Sequence, residues 1–251
     1  MPSKTGDYSR QNDSDYAWIW EEKVFASGAF KDVYQGWYIG GGRDGRRCVA
    51  KEFKTGSVFE ESYFAEEMRV IERTQRIIDD CHKARFIDKR ILLNRPEVWD
   101  RCHNGSKTLV EPMIDNFEKF NSNTGWVSPT GDVWSEAMQA LSHFSYHNSG
   151  GRLLLCDLQG GCYSNGYVLS DPVIMSQTKL SYGPTDLGPE GICVFFSRHK
   201  CGLYCRKEWL MPKIQGLGPV KSPMQRGTAM AAYLPTRVSR KPLSRLTRLL
   251  E

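Results

Sequence analysis

Apolar and polar positions alternate in short runs from Trp18 to Phe53. KVFASGAF, DVYQGWYI and RRCVAKEFK each show the two-residue period, and GGGRDG between the last two is a strong turn signal. Successive side chains of a strand point to opposite faces, so this pattern predicts a meander of antiparallel strands. From residue 57 to 80 the period lengthens. Phe64, Met68, Ile71 and Ile78 fall on one helical face with charges opposite. TLVEPM (108–113) predicts a short strand with a proline-marked exit, and FNSNTGWVSPTGD a loop. Residues 134–147 read as a helix with Trp134, Met138 and Leu141 on its apolar face. In RLLLCDLQGG, four consecutive apolar residues describe a strand buried on both faces, ending in an aspartate ahead of glycines. PEGICVFFSRH predicts a helix with Pro189 in its first turn and Gly188 as its cap. There is no internal repeat. The fold class is α+β, strand-rich in its first half and helix-rich in its second.

A chain of 251 residues accommodates one large domain or two small lobes. The net charge of +5 is unevenly spread. Seven Lys/Arg against the single acid Glu251 lie between Lys221 and the end, so the preceding residues are close to neutral. That predicts a basic, solvated tail rather than a basic domain. The first 15 residues are polar and read as disordered. No apolar run is long enough for a signal peptide or a membrane span, which points to a cytoplasmic protein without membrane contact. In that compartment the eight cysteines are expected as thiols or metal ligands. Cys48, Cys81, Cys102, Cys156, Cys162 and Cys193 stand singly and read as small hydrophobes.

The phosphate-loop, nucleophile-elbow, zincin and ordinary protein-kinase fingerprints (GxxxxGK[ST], GxSxG, HExxH, HRD, DFG) are all missing. Weaker signals remain. Lys51, in CVAKEF, is either a surface lysine with its stem along a strand or a phosphate-binding lysine in a cleft. SGAFK is either a plain hairpin turn or a set of backbone N–H donors, from Gly28, Ala29, Phe30 and Lys31, facing phosphates. Asp157 and Gln159 in DLQGG, with Asp171 in LSDPVI, are hard oxygen ligands suited to Mg²⁺, although Asp before Gly or Pro is also ordinary turn chemistry. GPTDLG (183–188) runs into a helix N-terminus, a place that favours anions. In RHKCGLYCRK, His199, Cys201 and Cys205 offer three zinc ligands within seven positions, or else unligated thiols; a structural site needs a fourth.

Taken in order, HFSY, LLLCDLQGG, LSDPVI, GPTDLGPEGI, FF and H-K-C-x3-C closely resemble the alpha-kinase family, the atypical protein kinases of the myosin heavy chain, elongation-factor-two and melastatin channel type. VAKEFK and LVEPMIDNFEKFNSNTGW resemble it too, so the likeness runs from about Phe25 to Arg206. The resemblance implies a two-lobed kinase-like fold with a structural zinc in the C-terminal lobe and Mg·ATP between the lobes. It places the lobes at about 16–110 and 114–215, between a disordered tail (1–15) and a basic, mostly disordered one (216–251). Lys51 matches the lysine on the ATP phosphates, and Glu111 and Met113 match the hinge positions at the adenine. Asp157 matches the catalytic aspartate, and Gln159 and Asp171 the magnesium ligands. His143 matches the fourth zinc ligand beside His199, Cys201 and Cys205, with His147 one turn on as a competitor. Two departures stand out. Lys31 replaces the family's usual arginine after the glycine turn, losing a bidentate fork. The connection from Gln159 to Asp171 is about four residues longer than the family's.

The implied activity is transfer of the γ-phosphate of ATP to protein Ser/Thr near basic residues. A pseudokinase would have shed Lys51, Asp157 or Asp171, and all three are present. A zinc-containing nucleic-acid binder would need aromatics in its basic tail, which holds only Tyr233, so no specific nucleic-acid partner is expected. In that tail Thr236, Ser239, Ser244 and Thr247 are each followed by arginine. This predicts autophosphorylation there, first at Thr247 or Thr236.

Overall fold

A computed structural model describes residues 14–54, 60–101, 106–213 and 244–248. The chain divides into two compact units. The first comprises, among the described residues, 14–64, 94–113 and 244–248. It is a closed barrel built from β1 (Tyr16–Ser27), β2 (Lys31–Ile39), β3 (Arg47–Phe53), β5 (Glu97–Arg101), β6 (Lys107–Pro112) and β12 (Ser244–Arg248), in the order β1-β12-β5-β6-β3-β2. The meander β1–β2–β3 is antiparallel, as the alternation predicts. The alternate residues Ala17, Ile19, Tyr38, Cys48, Ala50 and Trp99 form the barrel's core. Gly36 is required in β2 because a β-carbon there would collide with the Trp18 carbonyl and Ile19. Near one end Arg101 reaches carboxylates on two other strands, Glu21 and Glu52.

The second unit comprises 65–93 and 114–213. It contains α1 (Glu60–Ala84) from Ala65 onward, β4 (Ile91–Leu93), β7 (Glu118–Lys119), α2 (Val133–Asn148), β8 (Leu153–Cys156), β9 (Gln159–Tyr163), β10 (Gly166–Ser170), β11 (Val173–Ser176) and α3 (Gly188–Arg198). One sheet runs β4-β10-β9-β7 and a two-stranded one pairs β11 with β8. Apolar residues of α1 (Ile71, Ile78, Cys81) share one core with Met138 and Leu141 of α2 and with Leu155 of β8. Asp132 caps α2 by accepting a hydrogen bond from the Ser135 amide at 2.8 Å.

Several expectations need correction. Residues 65–93 were placed in the N-terminal lobe, but the apolar stripe of α1 is buried with α2 and β8, so they group with the second unit. The second half is not helix-rich; the four strands β8 to β11 follow one another between its two helices. Leu187, not Gly188, caps α3; Gly188 is its first residue, at φ 72. Within the segment expected as a mostly disordered tail, residues 244–248 form β12, whose backbone pairs with β1 and β5. Residues 1–13, Cys102, Thr236 and Ser239 lie outside the described residues. Cys48, Cys81 and Cys156 are buried as expected, and burial pushes the Cys48 and Cys81 thiols up to about 12. No helix among the described residues is long and apolar enough to cross a membrane.

Candidate functional site

Lys51 lies in β3, one strand from Glu111 in β6. Each side chain is 4% exposed, and they form an ion pair at 2.7 Å. The lysine is thus not a surface residue. Its partner is the side chain of Glu111, a residue that the family resemblance placed at the adenine. Removing one charge from a buried pair costs about 3–5 kcal/mol. Lys51→Met is therefore expected to destabilise the protein by that order in urea unfolding, and adding Glu111→Leu to restore most of it. The neighbouring Met113 donates its amide to the Arg47 carbonyl at 3.2 Å. In the glycine turn the Gly28 amide donates to the Lys31 carbonyl at 2.8 Å, closing the β1–β2 hairpin. The Lys31 ammonium lies over the Phe53 ring, 5.9 Å from its centroid.

In the second unit, ladder register brings three predicted residues together. Cys156 pairs with Val173, so Asp157 and Asp171 flank the same end of the β8–β11 ladder. The long connection after Gln159 is a regular hairpin. Gln159 stands opposite Ser170, and only Ser164 and Asn165 lie outside β9 and β10. The whole connection is taken up as ladder and a two-residue turn, and Asp171 comes back beside Gln159. Gln159 Nε2 lies 3.4 Å from Asp157 Oδ2 and 3.5 Å from the Asp171 carbonyl. Gly160 has no room for a β-carbon against the Val168 carbonyl, which keeps the two strands close at this end. Asp157 and Asp171 both adopt left-handed backbone, at φ 56 and 48. Such conformations cost on the order of 1–3 kcal/mol and gather at functional sites.

Lys119 of β7, to which the sequence reading gave no role, binds Asp157 Oδ1 at 2.8 Å. The signal for it was present in the stretch FEKFNSN, but a two-residue strand leaves no alternation to read. Burial raises the Asp157 carboxyl above its ordinary 3.8; Lys119 opposes this, and the nearby Asp171 charge adds to it. A buried, charge-coupled carboxylate able to take a proton, beside an amide oxygen and a second carboxylate, is a hard donor set that fits Mg²⁺.

The zinc question also has a geometric answer. One ligand atom from each of His143, His199, Cys201 and Cys205 lies within 4.8 Å of the others. His199 Nε2 is 3.2 Å from His143 Nδ1, and it is 3.7 Å and 3.6 Å from the sulfurs of Cys201 and Cys205. Ligand–ligand edges of a tetrahedral zinc site are about 3.3–3.8 Å, so the cluster is compatible with a zinc ion. The other nitrogen of His143, Nε2, is 3.0 Å from the Leu210 carbonyl; donating to it leaves Nδ1 free for a metal. His147 is not in the cluster. Its Nδ1 accepts from the Leu210 amide at 3.2 Å. Burial, then the neighbouring His143, pushes His199 down to about 4, keeping it a neutral ligand. Burial also pushes the Cys205 thiol up to about 12, a cost that a bound dication would reverse.

In GPTDLG the Gly183, Asp186 and Gly188 amides are taken within the chain, by the Leu180 carbonyl, the Gly183 carbonyl and the Asp186 side chain. Asp186 is fully buried and accepts from the Ser176 amide (2.9 Å), the Ser176 hydroxyl (2.7 Å) and the Gly188 amide (2.9 Å).

A family model described as the alpha-kinase family matches residues 26–205. Alpha-protein kinase vwkA of Dictyostelium discoideum is 42% identical over 99 residues, covering 39% of this chain and 16% of that protein. Alpha-protein kinase 1 of the same organism is 31% identical over 191 residues, 74% of this chain and 13% of that protein. The chain thus spans under a fifth of either relative's length. Among solved structures, the alpha-kinase domain of myosin heavy chain kinase A in complex with ADP superposes with a TM-score of 0.61 at 23% identity, over 79% of this chain and 96% of that one. At that identity the likeness concerns the fold.

Proposed function

This chain belongs to the alpha-kinase family, and we propose that it is an ATP-dependent protein kinase acting on serine and threonine. The observation that carries the reading is the convergence of Asp157, Gln159 and Asp171 through two ladder registers, with Lys119 on Asp157. Lys51, held by Glu111, is the phosphate-binding lysine, and the backbone of 111–113 receives the adenine. Gln159 and Asp171 hold Mg²⁺, which when bound neutralises charge on the phosphates. Asp157 accepts the proton of the incoming hydroxyl. His143, His199, Cys201 and Cys205 hold a structural zinc. The ADP complex of a structural neighbour supports the nucleotide assignment.

Substrates are proteins with hydroxyls next to basic residues. In the chain's own tail, Thr236 and Ser239 are the proposed autophosphorylation sites. Ser244 and Thr247 belong to β12, whose backbone is paired on both sides, and reach an active site only when that strand leaves.

Transfer of radiolabel from γ-labelled ATP to a basic protein, followed by phosphoamino-acid analysis, tests the activity. ATP binding without transfer would point instead to a pseudokinase. A pH profile tests the role of Asp157. A base must be ionised to accept a proton, so activity rises as pH passes upward through its pKa, here raised above 3.8. Lys119→Met removes the cation that holds this value down. The acid limb of kcat/KM is expected to move to higher pH in the variant; an unmoved limb would remove Asp157 from the role of base.

A further inference from the structure

The turn that carries the chemistry, Asp157–Leu158–Gln159, falls between β8 and β9, where Leu158 belongs to neither strand. Its backbone groups are nevertheless both satisfied, and by one short segment. The Phe120 amide donates to the Leu158 carbonyl at 2.8 Å. The Leu158 amide donates to the side-chain oxygen of Asn121 at 2.9 Å. Asn121 is fully buried, and its Nδ2 donates to the hydroxyl of Ser142 on α2 at 3.0 Å. The amide group therefore has a fixed orientation: its donor end is taken by α2 and its acceptor end by the turn.

We infer that Asn121 is a positioning residue for the proposed phosphotransfer, setting where Asp157 and Gln159 stand. Three facts support this beyond simple packing. Asp157 is held at φ 56, a conformation that persists only where its surroundings over-determine it. Leu158 is the residue between the proposed base and the proposed metal ligand, so its amide fixes the backbone to which both are attached. Lys119, two residues before Asn121, grips the Asp157 carboxylate. The stretch 119–121 thus holds the carboxylate through Lys119 and the backbone behind it through Phe120 and Asn121. Ser142 precedes the cluster residue His143, so the helix that anchors Asn121 is the one that enters the zinc cluster. The inference rests on the kinase reading for its consequence, but not for its geometry.

The test uses Asn121→Leu, which keeps the branched shape and the number of heavy atoms and removes both polar ends. Displacement of a catalytic group by about 1 Å costs on the order of a hundredfold in rate. The variant is expected to lose about that in kcat with KM for ATP within about twofold. Hydrogen exchange at the Leu158 amide should accelerate about tenfold or more, while amides in α1 keep their protection. Asn121→Asp retains an acceptor for the Leu158 amide and should recover most of that protection. Ile77→Ala, a core deletion in α1 at a residue 3% exposed, controls for stability and should leave kcat within about twofold. Asn121→Leu with wild-type kcat overturns the inference, as does an equal loss of kcat in Ile77→Ala. If the wild-type chain transfers no phosphate, the kinase reading fails, and unchanged Leu158 exchange in Asn121→Leu separately overturns the positioning claim.

Discussion

Asp157→Asn is expected to lower phosphotransfer by about 10²–10⁴-fold, the range supplied by a positioned general base. The fold should survive. Asparagine tolerates the left-handed backbone that Asp157 occupies at φ 56, better than alanine does. Burial already disfavours the charged carboxylate, so neutralising it removes an unfavourable desolvation along with the ion pair. Lys119 is 23% exposed and can turn its ammonium to water. Asp157→Ala should lose at least as much activity and on the order of 1 kcal/mol more stability, from the backbone alone. Radiolabel transfer and thermal unfolding of both variants check this. Wild-type turnover in either variant would remove Asp157 from the chemistry.

Loss of one of the proposed zinc ligands is expected to be the largest stability effect. In small zinc domains on the order of 10 kcal/mol of metal binding is coupled to folding. Here the cluster joins α2 to the segment after α3. Without a cation, two buried histidines and a Cys205 thiol pushed up to about 12 remain side by side with little to hold them together. Cys205→Ser and His143→Ala should each lower bound zinc from one equivalent toward none and unfold at far lower temperature. His147→Ala should keep its metal, because that ring instead accepts the Leu210 amide. Metal analysis by mass spectrometry with thermal unfolding decides. Full metal content in Cys205→Ser would mean the four residues are not a zinc site.

Elements with a strong period were legible from sequence: the barrel meander, α1 and α2 all follow from apolar spacing. The short strands were not. β7 has two residues and β4 three, too few for any alternation, and β7 is where Lys119 stands. β12 was hidden for a different reason. SRLTR reads as a charged tail because its place depends on distant edges, β1 and β5, which a local pattern does not register. Asp157, Gln159 and Asp171 were singled out as one set by motif, but the two ladder registers that bring them together are set by pairing across the sheets, which no local pattern registers. Lys51 was ambiguous because a mid-strand lysine has the same local sequence whether buried or exposed. Its buried ion pair with Glu111, sixty residues away, shows only in the folded chain that it is not a surface lysine. Asn121 was out of reach altogether, since nothing in an asparagine-rich loop announces which amide faces inward.

The hairpin between Gln159 and Asp171 makes the spacing of the proposed metal ligands modular. In an antiparallel hairpin each added residue on one strand is matched by one on the other, so length can change in steps of two at the Ser164–Asn165 turn without disturbing the Gln159–Ser170 pair. A single residue inserted within either strand has no partner and forces a bulge or a slipped register, sending side chains on one strand to the opposite face. Parity, rather than length, is thus the constraint within the two strands. A chain can lengthen or shorten this arm by whole pairs, presenting different residues at its tip, while the two ligands stay where they were.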